Sequence, residues 1–276
     1  MNPRGLAESV AALATRWIGL HAGERFPFTY VSEYPKSGGT WLARMVGDYL
    51  QIPFPQYSLL PITFESVIQN HWRADRRLRR VLYLYRDGRD VLTSLYYQRF
   101  RVLTHSDRPG RDRVGRRLER LFGRDFDASE IVSNMPRFLD YEFRHPGLGA
   151  RVNWKDHVEE WLALEGSPDV VFLTYEDLRA DCAAALRRAL EDLLDEEIDP
   201  WRLETTVEKM SMRRQAGREP GEADPTQHLR KGVVGDWRNA FNREAAEVFD
   251  HLAGDLLVRL GYEEDRRWVD RYELPS

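Results

Sequence analysis

The segment Tyr34-Pro35-Lys36-Ser37-Gly38-Gly39-Thr40-Trp41 is the part of this sequence best suited to chemistry on an anion. Paired glycines let backbone amides close around a phosphate, and amides at the start of a helix carry the positive end of its dipole. Lys36 adds a point charge on a flexible stem, and Ser37 and Thr40 add hydroxyl donors, so the segment is built like a phosphate-binding loop. Lysine is scarce elsewhere. Only Lys36, Lys155, Lys209 and Lys231 occur among 41 basic residues, leaving 41 − 4 = 37 arginines, so a lysine here goes against the habit of the chain. The order is not that of a metal-assisted kinase loop, because no Gly-Lys pair occurs anywhere in the sequence.

Two further segments carry cations where an anion could dock. Arg86 ends the apolar run Val81 to Tyr85, and Ser94 follows two helical turns later. An arginine at a strand's carboxyl end can fork onto a phosphate, with the serine adding a shorter bond, although pairing of Arg86 with Asp87 or Asp90 is the plainer alternative. In Arg230-Lys231-Gly232-Val233-Val234-Gly235-Asp236-Trp237, adjacent cations and a glycine can converge on one dianion. The breaker-rich stretch between Gln215 and His228 reads as a mobile loop in front of them. His71, at the end of a predicted strand, is the first candidate for a general base, with His157 in reserve. Seven arginines between Arg108 and Arg124 read either as a solvated helix face or as an attractor for an anionic acceptor.

Taken together, these blocks resemble the sulfotransferases that use 3′-phosphoadenosine 5′-phosphosulfate (PAPS). Tyr34 to Trp41 is similar to their 5′-phosphosulfate loop, Y-P-K-S-G-T-T-W, with Gly39 in place of a threonine. Arg86 and Ser94 match the spacing of their 3′-phosphate block, and 230–237 is similar to R-K-G-x-x-G-D-W. The resemblance runs from about Phe28 to Tyr262 and includes the segments 154–158 and 174–177. It implies PAPS as donor, 3′-phosphoadenosine 5′-phosphate (PAP) as product, and no metal. It implies cofactor contacts from Lys36, Ser37, Gly38, Gly39, Thr40, Trp41, Arg86, Ser94, Tyr175, Arg230, Lys231 and Gly232, and catalytic roles for His71, Lys36 and Ser94. Ser94 would also hold Lys36 away from the cofactor until an acceptor arrives. Trp41 and Tyr175 are either adenine contacts or core aromatics. The family's Thr-Ser-Phe adenine patch falls near Met210-Ser211-Met212, a departure. His157 aligns with a position that often lines the acceptor pocket, or it packs a helix face.

The elements needed to hold these residues are readable from periodicity. Phe28 to Tyr34, Phe64 to Asn70, Val81 to Tyr85 and Val170 to Thr174 read as strands, the last two as continuous apolar runs buried on both faces of a parallel sheet. Helical patterns cover Thr40 to Leu50, about Asp90 to Phe100, Trp154 to Leu164, Ala180 to Leu194 and Arg243 to Leu260. Near the N-terminus, Leu6, Val10, Leu13, Trp17 and Leu20 recur at helical spacing, and this stripe is expected to pack on the core. Strands alternating with helices predict one α/β domain, a parallel sheet with helices on both faces, like the P-loop nucleotide-binding folds. The expected organisation is a helical extension over 1–27, the domain over 28–265 and a tail over 266–276.

Composition narrows the classes. The hydrophobic fraction of 42% is too high for a disordered chain, and 41 basic against 45 acidic residues leave a net charge of −4, which argues against a nucleic-acid-coating surface. The single cysteine, Cys182, excludes an internal disulfide framework, and no apolar run reaches the ~18 residues of a membrane span. A cytoplasmic location is expected. The partners expected are a small-molecule or glycolipid acceptor, with no nucleic acid and no membrane insertion. The family's short dimer motif, K-x-x-x-T-V-x-x-x-E, is degraded in Arg238 to Glu247, where Asn242 and Arg243 replace the central Thr-Val, so that dimer is not expected to form. The rival readings are a P-loop-type phosphotransferase and a PAPS-binding module without turnover.

Overall fold

The computed structural model describes residues 3–23, 25–55, 65–104, 111–123, 127–147, 150–211, 213–214 and 232–272. The chain divides into two compact units, Met1–Tyr85 with Glu160–Gly217, and Arg86–Glu159 with Arg218–Ser276. Arg230, Lys231, Met212 and the loop from Gln215 to His228 lie outside the described residues.

The first unit is built on a four-stranded parallel sheet of order β2-β1-β3-β4, with β1 Phe28–Glu33, β2 Ser66–Asn70, β3 Val81–Tyr85 and β4 Val170–Thr174. Every residue of β1 is buried, as a central parallel strand requires. Alternate residues serve opposite faces. Val31, Val67, Leu82 and Leu84 pack with Leu42, Met45 and Val46 of α2 (Gly39–Leu50), Leu186 and Leu190 of α8 (Cys182–Leu194) and Leu203 of α9 (Pro200–Lys209). Phe28, Tyr30, Val81 and Tyr83 pack on the other face with Trp161, Leu164 and, from α1 (Pro3–Ala22), Ile18 and Leu20. The sheet is therefore covered by helices on both faces.

Two expectations need correction here. Of the N-terminal stripe, Val10, Leu13 and Trp17 are exposed (57%, 63% and 63%) and Leu20 joins the core, while the Leu6 side chain lies outside the described residues. The helix seats on its small-residue side, with Ala11 buried and Gly19 so close to the Tyr30 hydroxyl that an added Cβ would meet it at 2.3 Å. Close approach wins over the bulkier stripe because small residues bring the helix nearer the sheet. The second correction concerns the helix expected from Ala180, which breaks at Asp181. That carboxylate accepts the Ala184 N–H at 3.0 Å and starts α8 anew, after the short α7 (Tyr175–Ala180).

The second unit is helical among its described residues: α3 Gly88–Thr104, α4 Arg111–Phe122, α5 Ile131–Arg144, α10 Arg243–Arg259 and α11 Trp268–Arg271, with most of α6 (Trp154–Leu162). At its centre the buried Arg89 guanidinium lies 4.0 Å from the Trp237 ring and 4.7 Å from that of Trp268. Its donors are taken by Asp87 and Glu263, as a buried charge demands. Among the described residues, no helix is long and apolar enough to cross a membrane.

Candidate active site

In the first unit, the loop from Tyr34 to Gly38 joins β1 to α2. Two of its residues take left-handed backbone angles: Gly38 at φ 108°, and Lys36 at φ 80°, where a non-glycine residue costs about 1–3 kcal/mol. Gly38 is required twice, because an added Cβ would also stand 2.8 Å from the Tyr175 ring. Ser37 is fully buried, and its Oγ has no hydrogen-bond partner among the described residues. A hydroxyl desolvated in this way costs about 1–3 kcal/mol, which an anionic oxygen held by the loop would offset. These residues therefore fit a phosphosulfate group.

A carboxylate not singled out by the sequence organises the loop from below. Glu33, the last residue of β1, is buried, with Oε2 accepting the Gly39 N–H and Oε1 accepting from Gln69 Nε2 at 2.8 Å. Burial pushes its carboxyl above the usual carboxylate range, against the pull of His71, the Gly39 N–H, Gln69 and Lys36. The substitution at position 39 now has a physical reason. A Cβ on Gly39 would lie 2.3 Å from the Glu33 carboxyl carbon, so a threonine there has no room. Thr40, expected as a hydroxyl donor to the anion, donates instead to Gln69 Oε1 at 3.0 Å.

His71 follows β2 directly, and the register pairing Ser32 with Asn70 brings it level with Glu33. Asn70 steadies this turn: its Oδ1 accepts from Ser32 Oγ and from the Trp72 N–H, each at 3.0 Å. The half-buried imidazole places Nδ1 3.1 Å from the Glu33 main-chain oxygen and 4.0 Å from Glu33 Oε1. A carbonyl oxygen can only accept, so Nδ1 carries the hydrogen and Nε2 keeps its lone pair. Lys36, Glu33, Gly39 and His71 are thus brought together in one unit. Trp41 and Tyr175 also meet there, edge to face at 6.2 Å, with the Trp41 Nε1–H donated to Met210 O at 2.9 Å.

In the second unit, Arg86 is buried at the start of α3. Its Nη2 donates to Asp90 Oδ2 at 3.1 Å and to Val233 O at 3.0 Å, so the plainer pairing with Asp90 is present, and with it a link to the third sequence block. Asp90 also accepts the N–H groups of Gly235 at 2.8 Å and Trp237 at 2.9 Å, docking that block on the first turn of α3. Burial raises the Asp90 carboxyl pKa, and the Arg86 charge opposes the rise. Gly232, at φ 62°, takes a left-handed turn in the same block, and Ser94 is half-buried on α3. His157 is fully buried on α6. On α4, Arg116 and Arg120 are exposed while Leu118 is buried, the pattern of a solvated face. Among the described residues no three His, Cys, Asp or Glu side chains group so as to hold a metal ion.

Comparison with known proteins shows which family the chain resembles. The family model described as "Sulfotransferase domain" matches residues 74–261. An amine sulfotransferase of Oryctolagus cuniculus is 25% identical over 265 residues, covering 81% of this chain and 78% of that protein. A sulfotransferase 1A1 of Mus musculus is 24% identical over 270 residues, covering 83% and 84%. Among solved structures, mouse sulfotransferase SULT7A1 complexed with PAP superposes with a TM-score of 0.58 at 18% identity, covering 89% of each chain. Retinol dehydratase in complex with retinol and PAP superposes with a TM-score of 0.59 at 18% identity, covering 84% and 82%.

Proposed function

This chain belongs to the sulfotransferase domain family, and we propose that it transfers the sulfonate group of PAPS to a hydroxyl or amine of a small-molecule, glycan or lipid acceptor by in-line displacement. The observation that carries the reading is the pairing, in one unit, of a strained lysine–serine–glycine loop with a histidine whose tautomer leaves Nε2 free. When bound, PAPS supplies an electrophilic sulfur and a leaving phosphate oxygen. Ser37 Oγ, Lys36 Nζ and the N-terminal end of α2 hold the 5′-phosphosulfate, with Gly38 and Gly39 keeping the loop slender. Arg86, Ser94, Arg230, Lys231 and Gly232 are assigned to the 3′-phosphate, and Trp41 and Tyr175 to the adenine side.

His71 acts as the general base. The acceptor's proton passes to Nε2 as its oxygen or nitrogen closes on sulfur, and Nδ1–H stays on the Glu33 carbonyl throughout. Lys36 meets the negative charge that grows on the oxygen of the breaking bond, a form of preorganised electrostatic stabilisation effective in a desolvated site. The test is a screen of phenols, amines, glycolipids and amino sugars with sulfur-labelled PAPS. Label transferred to at least one acceptor is expected. Turnover of Mg·ATP with no label transferred would favour a phosphotransferase, and PAP binding without transfer to any acceptor would favour a module without turnover.

A further inference from the structure

We propose that Glu33 is a positioning residue for His71. Its main-chain carbonyl fixes the imidazole with Nδ1–H inward and Nε2 outward, and its buried carboxylate stabilises the imidazolium formed when Nε2 takes a proton. The inference deepens the base role assigned to His71 and rests on that reading.

The geometry supports it at both ends of the residue. The main-chain oxygen lies 3.1 Å from Nδ1, and the carboxylate oxygen Oε1 lies 4.0 Å from the same nitrogen. Both carboxylate oxygens accept N–H donors, from Gly39 and Gln69, which is the pattern of the ionised form. Gln69 is held in turn by the Thr40 hydroxyl. Glu33 thus ties the first turn of α2, the end of β2 and the base into one network. A buried carboxylate is costly to a fold unless donors and cations offset it, and of those doing so here Gly39, Lys36 and His71 are residues assigned to sulfonate transfer.

The charged and titratable groups around the pair are Lys36 on the loop, Tyr83 on β3 and Glu160 on α6. Lys36 favours the Glu33 carboxylate. Tyr83 is fully buried, and its phenol is held neutral by burial first and by the Glu33 charge second. Glu160 is paired with Arg73. Among the described residues, Glu33 is the carboxylate that reaches within 4.0 Å of the imidazole. During turnover the proton moves from the acceptor to Nε2, giving an imidazolium that donates through Nδ1 to Glu33 O and faces Oε1. It leaves from Nε2 to water after product departs.

The experiment is nitrogen NMR of the full-length protein with labelled histidine and PAP present, His71 being assigned with His71→Gln. The wild type is expected to show the Nδ1–H tautomer for neutral His71. In Glu33→Gln the acid limb of the kcat–pH profile is expected to move to lower pH, because the imidazolium loses the opposite charge beside it. Glu33→Asp, which keeps the charge, provides a second variant should Glu33→Gln fail to fold, and its pH profile falls between those of the wild type and Glu33→Gln. An Nε2–H tautomer in the wild type, or an acid limb unmoved in the variants, would overturn the proposal. The tautomer is read without acceptor or turnover, so it stands or falls separately from sulfonate transfer, which the labelled-PAPS screen reports.

Discussion

Gly39 and Glu33 compete for one space, and a double-mutant cycle measures that competition. In Gly39→Ala the new Cβ would stand 2.3 Å from the Glu33 carboxyl carbon and within 3 Å of both its oxygens, so the carboxylate must leave its place. Leaving breaks the bonds from Gly39 N–H and Gln69 Nε2. Hydrogen bonds to a charged group contribute about 1.5–3 kcal/mol each, so losing both costs about 3 kcal/mol at the least. Replacing a helical glycine by alanine returns about 0.5–1 kcal/mol, for a net loss of about 2–3 kcal/mol. Glu33→Ala forfeits the same two bonds and costs a similar amount. In the double variant the carboxylate is gone and the alanine methyl occupies part of its volume. The double variant should then be little worse than Glu33→Ala alone, a coupling of about 2 kcal/mol. Urea unfolding of the four proteins, followed by circular dichroism, gives this number. Losses that add to within about 0.5 kcal/mol, the behaviour of independent sites, would refute the steric account of Gly39.

Other measurements address separate parts of the structure. Burial pushes the Cys182 thiol up to about 11, so at pH 8 only about 0.1% is thiolate against about a quarter for an ordinary thiol. Alkylation at pH 8 should run about 200-fold slower than for free cysteine and speed up tenfold per pH unit, and a rate matching free cysteine would contradict the burial. Arg86→Ala should weaken PAP binding by roughly 10- to 150-fold in calorimetry, with 5′-AMP binding poorly to both proteins; an unchanged PAP affinity would remove Arg86 from the 3′-phosphate site. Asn242 caps α10 by accepting the Ala245 N–H at 2.9 Å, while Arg243 pairs with Glu247 and Asp270 of its own chain. Asn242→Ala should therefore cost about 1 kcal/mol in urea unfolding and leave the mass seen by light scattering unchanged. A dimer that this substitution dissociates would overturn that reading.

The sheet was legible because parallel strands buried on both faces write themselves as unbroken apolar runs, as in Val81–Tyr85; Val170–Thr174 is as apolar a run, but it lies at the edge of the described sheet and is only partly buried, so the expectation of burial on both faces is corrected there. The phosphate loop was legible because glycines, a rare lysine and hydroxyls stand at a strand-to-helix junction. Glu33 was not, since a single carboxylate inside the strand expected over Phe28 to Tyr34 names no partner. Only the parallel register that brings β2 beside β1 reveals that it is buried beneath the loop. One signal was available: Gly39 lacks the side chain expected at its position, and a missing side chain means that something else fills the space. The roles of Gln69 and Thr40 were hidden for the same reason, because their bond spans 29 residues of sequence. The seating of α1 was misread because hydrophobic spacing records which residues are apolar, whereas Ala11 and Gly19 show which side can come closest to the sheet. In the second unit Asp90 looked like a competitor for Arg86, and it is also the anchor that holds Gly235 and Trp237.

The central claim is that His71 takes the acceptor's proton while the lysine loop holds the sulfonate donor. Turnover of His71→Ala at saturating PAPS and acceptor, beside its calorimetric affinity for PAP, tests it most directly. The account predicts that kcat falls by about 10²–10⁴, the usual contribution of a general base, with PAP affinity within about twofold of wild type. Unchanged turnover in His71→Ala, or the same loss appearing instead in His157→Ala, would contradict it.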